Sequence, residues 1–206
     1  EAQTRREFLG LTDHDLRVLE GLQPAFKAVV PDVLRSFYEL VATTPSIRSL
    51  VNDDVVERLQ VAVGAYWIDL VAERFDKAHA ASRMRIGVIH ERIGLAPQFY
   101  LVGLACQLRG LLRVLPRDPV QMTEAISALV RAVFFDVTFV LDAYMDARAA
   151  SLLQIGRFAG QVVAGLANGI AIADARDRVE YANEQLLQLL GIPAGVLHRL
   201  PVDEAL

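Results

Sequence analysis

The chain holds four histidines, His14, His79, His90 and His198. One of them is set apart by its neighbours. At helical spacing His90 shares a face with Ile86, Gly87 and Ile93, so an imidazole projects from an apolar stripe. Gly87, one turn earlier, removes a side chain where a flat ligand could approach the backbone. The competing reading is a core histidine with a satisfied hydrogen bond. Tyr38 is placed in the same way, with Leu34 and Val41 on its helix face and Phe37 beside it. Its competing reading is a core tyrosine whose hydroxyl bonds a backbone carbonyl. Taken together, the two residues suit one chemistry. An apolar cavity with an imidazole to ligate iron on one wall, and a phenol to donate a hydrogen bond to bound dioxygen on the other, is what haem gas chemistry requires. The remaining histidines carry no such signal. His14 lies in a charged capping segment and is expected in solvent, His79 stands among alanines beside Lys77 and is expected on the surface, and His198 is in the tail.

The elements that must position these groups are helical. Thr12 with Asp15 is a capping-box start, followed by the stripe Leu16, Leu19, Leu22 and Phe26. A second helix is expected from about Pro31 to Ala42, then a break at Thr44, Pro45 and Ser46 and a short helical piece ending near Val51. Asn52 and Asp53 are expected to cap a third long helix reaching about Arg74, with the stripe Val55, Val56, Leu59, Val63, Tyr66, Trp67 and Leu70. Further helices are expected from Asp76 to Glu91 and from Pro97 to about Leu115. Asp118 and Pro119 open a last helix without a breaker to Ser151, with helical character reaching about Ala164. Within it Leu141, Met145, Arg148, Leu152, Ile155, Ala159, Val162 and Leu166 follow four-three steps, apolar except at Arg148. This is a coiled-coil seam, expected between two copies of the chain, against the alternative of a helix packed on its own domain. After Gly165 the pattern changes to two short strands, Gly169–Asp174 and Arg178–Tyr181, and a helix from Glu184 to Leu190 capped by Asn183 and stopped by Gly191. Such a hairpin and helix cannot bury a core alone, so the chain is expected to stop inside a second domain.

Composition narrows the class. Apolar residues make up 53% and charged residues 22% of 206 residues, with mean hydropathy +0.32, which excludes a disordered chain. The longest clean apolar run, Val61–Ile68, falls far short of a membrane span of ~18 residues. A net charge of −4 argues against nucleic acid or an anionic membrane as partner. The single cysteine, Cys106, reads as a small buried apolar residue and can form no internal disulfide. Without a recognisable secretory signal, a reducing cytoplasmic location is expected. No glycine-rich phosphate loop is present. Glu91 beside His90 is not a metalloprotease motif, because Gly94 occupies the place of the second histidine. Asp53 and Asp54 read as helix-start charges.

The run Arg85-Ile-Gly-Val-Ile-His90-Glu-Arg-Ile-Gly-Leu-Ala-Pro-Gln-Phe-Tyr100 resembles the proximal signature of globin-coupled sensors, haem globins joined to bacterial signalling outputs. Phe8–Thr12, Phe37–Leu40 and Asp136–Tyr144 are similar to three further segments of that family, in order and at compatible spacing over about residues 5–155. The resemblance implies an all-α globin fold without the short D helix around one b-type haem (iron protoporphyrin IX), with a long C-terminal signalling helix. It implies His90 as proximal ligand and Tyr38 as distal donor, with Leu59 over the distal face and Val63 as its near competitor. Phe37, Val55, Trp67, Ile86, Gly87, Ile93 and Tyr100 are assigned to the haem pocket, Tyr100 also as a relay to the last helices. Arg83, Arg85 or Arg92 is expected at the propionates. The tail from Gly169 to Gly191 resembles the beginning of a PAS domain.

The expected organisation is therefore a globin sensor domain over 1–152, a helical linker over 153–166 and the N-terminal part of an α+β PAS-like domain over 167–206. The implied function is a dioxygen sensor, open also to CO and NO. It would act as a homodimer through the last two globin helices and the seam residues Leu141, Met145, Leu152, Ile155 and Val162. The fragment itself is not expected to be an enzyme, and its output would be cyclic-di-GMP synthesis or a histidine kinase. The rival readings are a globin that oxidises NO and a haem-free dimerisation module.

Overall fold

The computed structural model describes residues 1–51, 53–72, 74–193 and 200–205, and the expectations for Asn52, the Val55 side chain and His198 fall outside what is described. The chain divides into two compact units, Glu1–Arg148 and Ala149–Leu206. The first is built from α1 (Ala2–Phe8), α2 (Asp13–Thr43), α3 (Pro45–Arg48), α4 (Asp53–Leu70), α5 (Lys77–Arg92), α6 (Pro97–Leu111) with a following 3-10 turn, and α7 (Pro119–Ala164).

The start signals act as expected. Asp15 N donates to Thr12 Oγ1 at 3.3 Å and Thr12 N to Asp15 Oδ2 at 2.8 Å, a reciprocal capping box. Asp76 Oδ1 accepts from Ala78 and His79 N, and Asp118 Oδ1 from Val120 and Gln121 N, with Pro119 as the first residue of α7.

One expected break is absent. The two helices read on either side of Pro31 are a single 31-residue helix, α2, with Pro24 and Pro31 inside it. Leu19, Leu22, Phe26, Val30, Leu34, Tyr38 and Val41 form one unbroken buried stripe along it. Both prolines lie on the exposed side, so the carbonyls that lose their donors face water. Burying a continuous stripe outweighs two proline penalties of ~3 kcal/mol each. A second difference is the end of α4, which stops at Leu70 rather than near Arg74. Beyond it the chain turns to bury Phe75, at φ +55°, against the rings of His79 and Phe135.

Small residues set the packing around α2. A Cβ on Gly64 of α4 would lie 3.6 Å from Val30 and Leu34, and one on Gly103 of α6 would lie 3.3 Å from the Phe37 ring. Gly110 leaves room for Val33, 2.7 Å from where a Cβ would stand. Trp67 of α4 is fully buried and donates from Nε1 to Gln107 Oε1 of α6 at 2.6 Å.

The second unit contains the hairpin β1 (Ala171–Ala173) and β2 (Val179–Ala182), then α8 (Glu184–Leu190) and α9 (Val202–Ala205). The strands pair antiparallel, Ala171 opposite Ala182 and Ile172 opposite Tyr181, with an irregularity after Ile172. Gly191 ends α8 at φ +64°. Asn183 is buried and fully used. Its Oδ1 accepts from Ile170 N and Leu186 N, and its Nδ2 donates to Asn168 O and Val163 O.

Candidate functional site

His90 sits in the last turn of α5, half-buried. Its Nδ1 lies 2.8 Å from the Ile86 carbonyl oxygen, one turn back. That bond places the ring proton on Nδ1, leaving Nε2 with its lone pair and with no partner among the described residues. Burial pushes the imidazole pKa down, with the Ile86 carbonyl opposing it, so the neutral, ligating form is favoured. Ile86 and Ile93 continue the stripe on the same face, with Ile89 flanking it. Ile89 and Ile93 stay 54% and 45% exposed, an apolar surface beside a lone-pair nitrogen that the described residues leave uncovered.

Tyr38 is buried on α2, with its ring edge-on to Phe37 at 5.2 Å. No carbonyl accepts its hydroxyl among the described residues, so the arrangement of an ordinary core tyrosine is not met. Burial raises its pKa to about 12, which keeps the proton on the phenol. Phe37, Leu59, Val63 and Ile86 are half-buried against the same core, and Trp67 lies within it. The Tyr100 ring stands 5.2 Å from that of His90, tilted by 56°.

The structure corrects four assignments, at Gly87, His79, Arg83 and Cys106. Gly87 is not an opening for a flat ligand. A Cβ there would run into the Val140 carbonyl oxygen of α7 and lie 2.9 Å from Tyr144 N, so the glycine permits close approach of α5 to α7. His79, expected on the surface, is 2% exposed and its Nε2 bonds Asp136 Oδ1. Arg83, one of three candidates for the propionates, is 3% exposed, places its Nε 2.7 Å from Asp136 Oδ2 and stacks its guanidinium 4.7 Å above the Tyr66 ring. Arg85 and Arg92 are exposed, and Cys106 is half-buried rather than buried. His14, expected in solvent, is exposed, its Nε2 3.6 Å from Glu124.

His79, Arg83, Tyr66 and Asp136 form a buried cluster that helical spacing alone does not predict. Its signal in the sequence is Asp136 itself, a lone carboxylate in the apolar run Val133–Val140. His79 and Arg83 are also four residues apart, on the face that carries His90 three turns later. Tyr66 Oη, Tyr100 Oη, Arg83 Nη2 and Asp136 Oδ2 are buried without an aligned hydrogen-bond partner among the described residues.

Of the seam residues, Leu141 is half-buried against the core of the first unit, whereas Met145, Leu152, Ile155 and Val162 are exposed along α7. Leu166 lies beyond the end of the helix. Among the described residues, no group of three His, Cys, Asp or Glu side chains could hold a bare metal ion, and no helix is long and apolar enough to cross a membrane.

Residues 1–150 match the protoglobin family, and residues 161–206 match the PAS domain. The heme-based aerotactic transducer HemAT of Halobacterium salinarum is 29% identical over 166 residues, 74% of this chain. The chain spans about a third of that relative, 34% of its length. The globin domain of a Geobacter sulfurreducens globin-coupled sensor superposes with a TM-score of 0.65 at 19% identity, covering 69% of this chain and 96% of that one. The ferric globin domain of E. coli DosC superposes with a TM-score of 0.54 at 15% identity, covering 69% and 98%. At these identities the two structures bear on the fold, which is that of a globin with a long last helix.

Proposed function

The chain belongs to the protoglobin family, and on that premise we propose that its first 150 residues are a haem-based gas-sensing domain with dioxygen as ligand. The observation that carries this reading is the state of His90. Its Nδ1 is held by Ile86 O, its Nε2 has no partner among the described residues, and the half-buried Ile86 and the exposed Ile93 share its face. A b-type haem fits this set, because the porphyrin supplies the remaining donors and one imidazole completes them. When bound, haem supplies reversible coordination of a diatomic gas (dioxygen, CO or NO).

The chain's own residues divide the work. His90 Nε2 would hold the iron, and Ile86 O fixes the tautomer and the ring orientation. Tyr38, protonated across the physiological range, would donate a hydrogen bond to the gas ligand. Leu59 and Val63 would exclude water on that side, and Phe37, Val55, Trp67, Ile86 and Ile93 would complete the pocket. Tyr100 lies against the His90 ring and would pass its displacement to α6.

The domain acts as a sensor rather than as an enzyme, and its signal leaves through α7 as part of a cytoplasmic homodimer. The exposed residues Met145, Leu152, Ile155 and Val162 support a seam between two copies. The PAS match over residues 161–206 supports a PAS-like domain as the next stage, before an output of the cyclase or histidine kinase class.

Hemin titration of the wild-type chain and of His90→Ala tests the reading. The wild type is expected to develop an intense band near the violet edge at one haem per chain, and the variant to lose it. A wild-type chain that takes up no hemin overturns the reading.

A further inference from the structure

α5, the helix that carries His90, meets α7 at two places. At the first, Asp136 of α7 is 0% exposed and meets two side chains from successive turns of α5: His79 Nε2 bonds Oδ1, and Arg83 Nε stands 2.7 Å from Oδ2 as an ion pair. Arg83 Nε also lies 3.3 Å from His79 Nε2, so the imidazole, the guanidinium and the carboxylate form one buried cluster. At the second place, one turn on, Gly87 lets the backbones of α5 and α7 touch at Val140 and Tyr144. His79, Arg83 and Gly87 fall four residues apart, as do Asp136, Val140 and Tyr144. The two contacts thus lie one turn apart on each helix, and His90 follows three residues after the second.

We infer that Asp136 is a positioning residue: with His79 and Arg83 it latches the His90 helix to α7 in one register, so that a displacement of His90 registers on α7. A buried carboxylate cannot leave one cation for water without exposing an uncompensated charge, so the pair resists sliding in a way that apolar packing does not. The first-unit end of α7 is gripped elsewhere by Arg131 to Asp15 and by Arg5 to Asp142, both on the protein's exterior side and both more exposed than this latch. The latch is a property of the fold, and only its link to gas binding rests on the haem reading.

The test is native-state amide exchange of the full chain, first without haem. In the wild type, amides 83–90 of α5 and 133–144 of α7 are expected to open together. Asp136→Asn is expected to speed exchange in 83–90 at least tenfold more than in 133–144. Since leaving Arg83 unpaired can unfold the chain, the triple variant His79→Leu, Arg83→Met, Asp136→Leu removes all three polar groups at similar volume, and the same selective loss is expected there. Equal exchange of the two segments in a folded variant overturns the latch. The second arm compares hemin-loaded, reduced protein with and without CO over residues 145–164. A CO-dependent change in the wild type that shrinks at least threefold in either variant supports the link to His90, and one that persists unchanged overturns it. Failure of the wild type to take up hemin overturns the haem reading and this link with it, while the first arm still decides the latch.

Discussion

The imidazole of His90 and the phenol of Tyr100 stand 5.2 Å apart, ring to ring, and the Tyr100 hydroxyl is buried with no hydrogen-bond partner among the described residues. Burial and the nearby Asp136 carboxylate push the Tyr100 pKa up, which keeps the phenol neutral. The ring contact and the orphaned hydroxyl are thus separable. Tyr100→Phe is expected to keep the contact and to raise stability by about 1 kcal/mol, since a buried unmatched hydroxyl is removed. Tyr100→Ala is expected to cost about 3–5 kcal/mol and to loosen His90. Urea unfolding of the two variants checks this, and a destabilised Tyr100→Phe would mean that the hydroxyl has a partner.

Gly87 and Gly156 both lie inside long helices but face different surroundings. Gly87→Ala drives a Cβ into the backbone of α7 and is expected to destabilise by about 1–3 kcal/mol. Gly156→Ala meets no atom within 4 Å and is expected to stabilise α7 by about 0.5–1 kcal/mol. Melting curves of the pair are the measurement; equal shifts for both would contradict the close approach at Gly87.

Tyr38→Phe removes the proposed donor while keeping the ring against Phe37. A neutral hydrogen bond of ~1 kcal/mol corresponds to about fivefold in the dioxygen off-rate, with CO less affected. Because the phenol pKa is about 12, the off-rate of the wild type is expected to be flat between pH 6 and 9 as far as Tyr38 is concerned. Stopped-flow displacement measures it, and an off-rate unchanged by the substitution removes Tyr38 from this role.

Acid sensitivity is expected from Asp15. Burial would raise its pKa, but the Thr12 backbone N–H and hydroxyl and the Arg131 guanidinium outweigh that and hold it below the usual value. A folded-state pKa below the unfolded one stabilises the protein above the unfolded pKa of ~3.9, and the gain is lost as pH falls through the folded value. Asp15→Asn is therefore expected to cost about 1–2 kcal/mol at pH 7 and to approach wild-type stability in acid, once the pH has fallen through the folded-state value. Urea titrations at pH 7 and in acid check the sign; a gap that widens on acidification would refute it.

Much of this molecule could be read along the chain. Local hydrogen bonding fixes where a helix starts or stops, so the Thr12–Asp15 box, Asp118 with Pro119, and Asn183 with Gly191 stand where the sequence placed them. Period alone set His90 on an apolar stripe beside Ile86 and Ile93. The tertiary structure decided what faces each stripe. It carried α2 through Pro24 and Pro31, because one continuous core covers the opposite face. It turned Gly87 toward α7 rather than toward a ligand. It buried His79, which looks like a surface residue among alanines, because its hydrogen-bond partner lies 57 residues away at Asp136. Helical spacing gives an angle around one axis, and a partner on another helix enters that description only when the chain has folded back on itself.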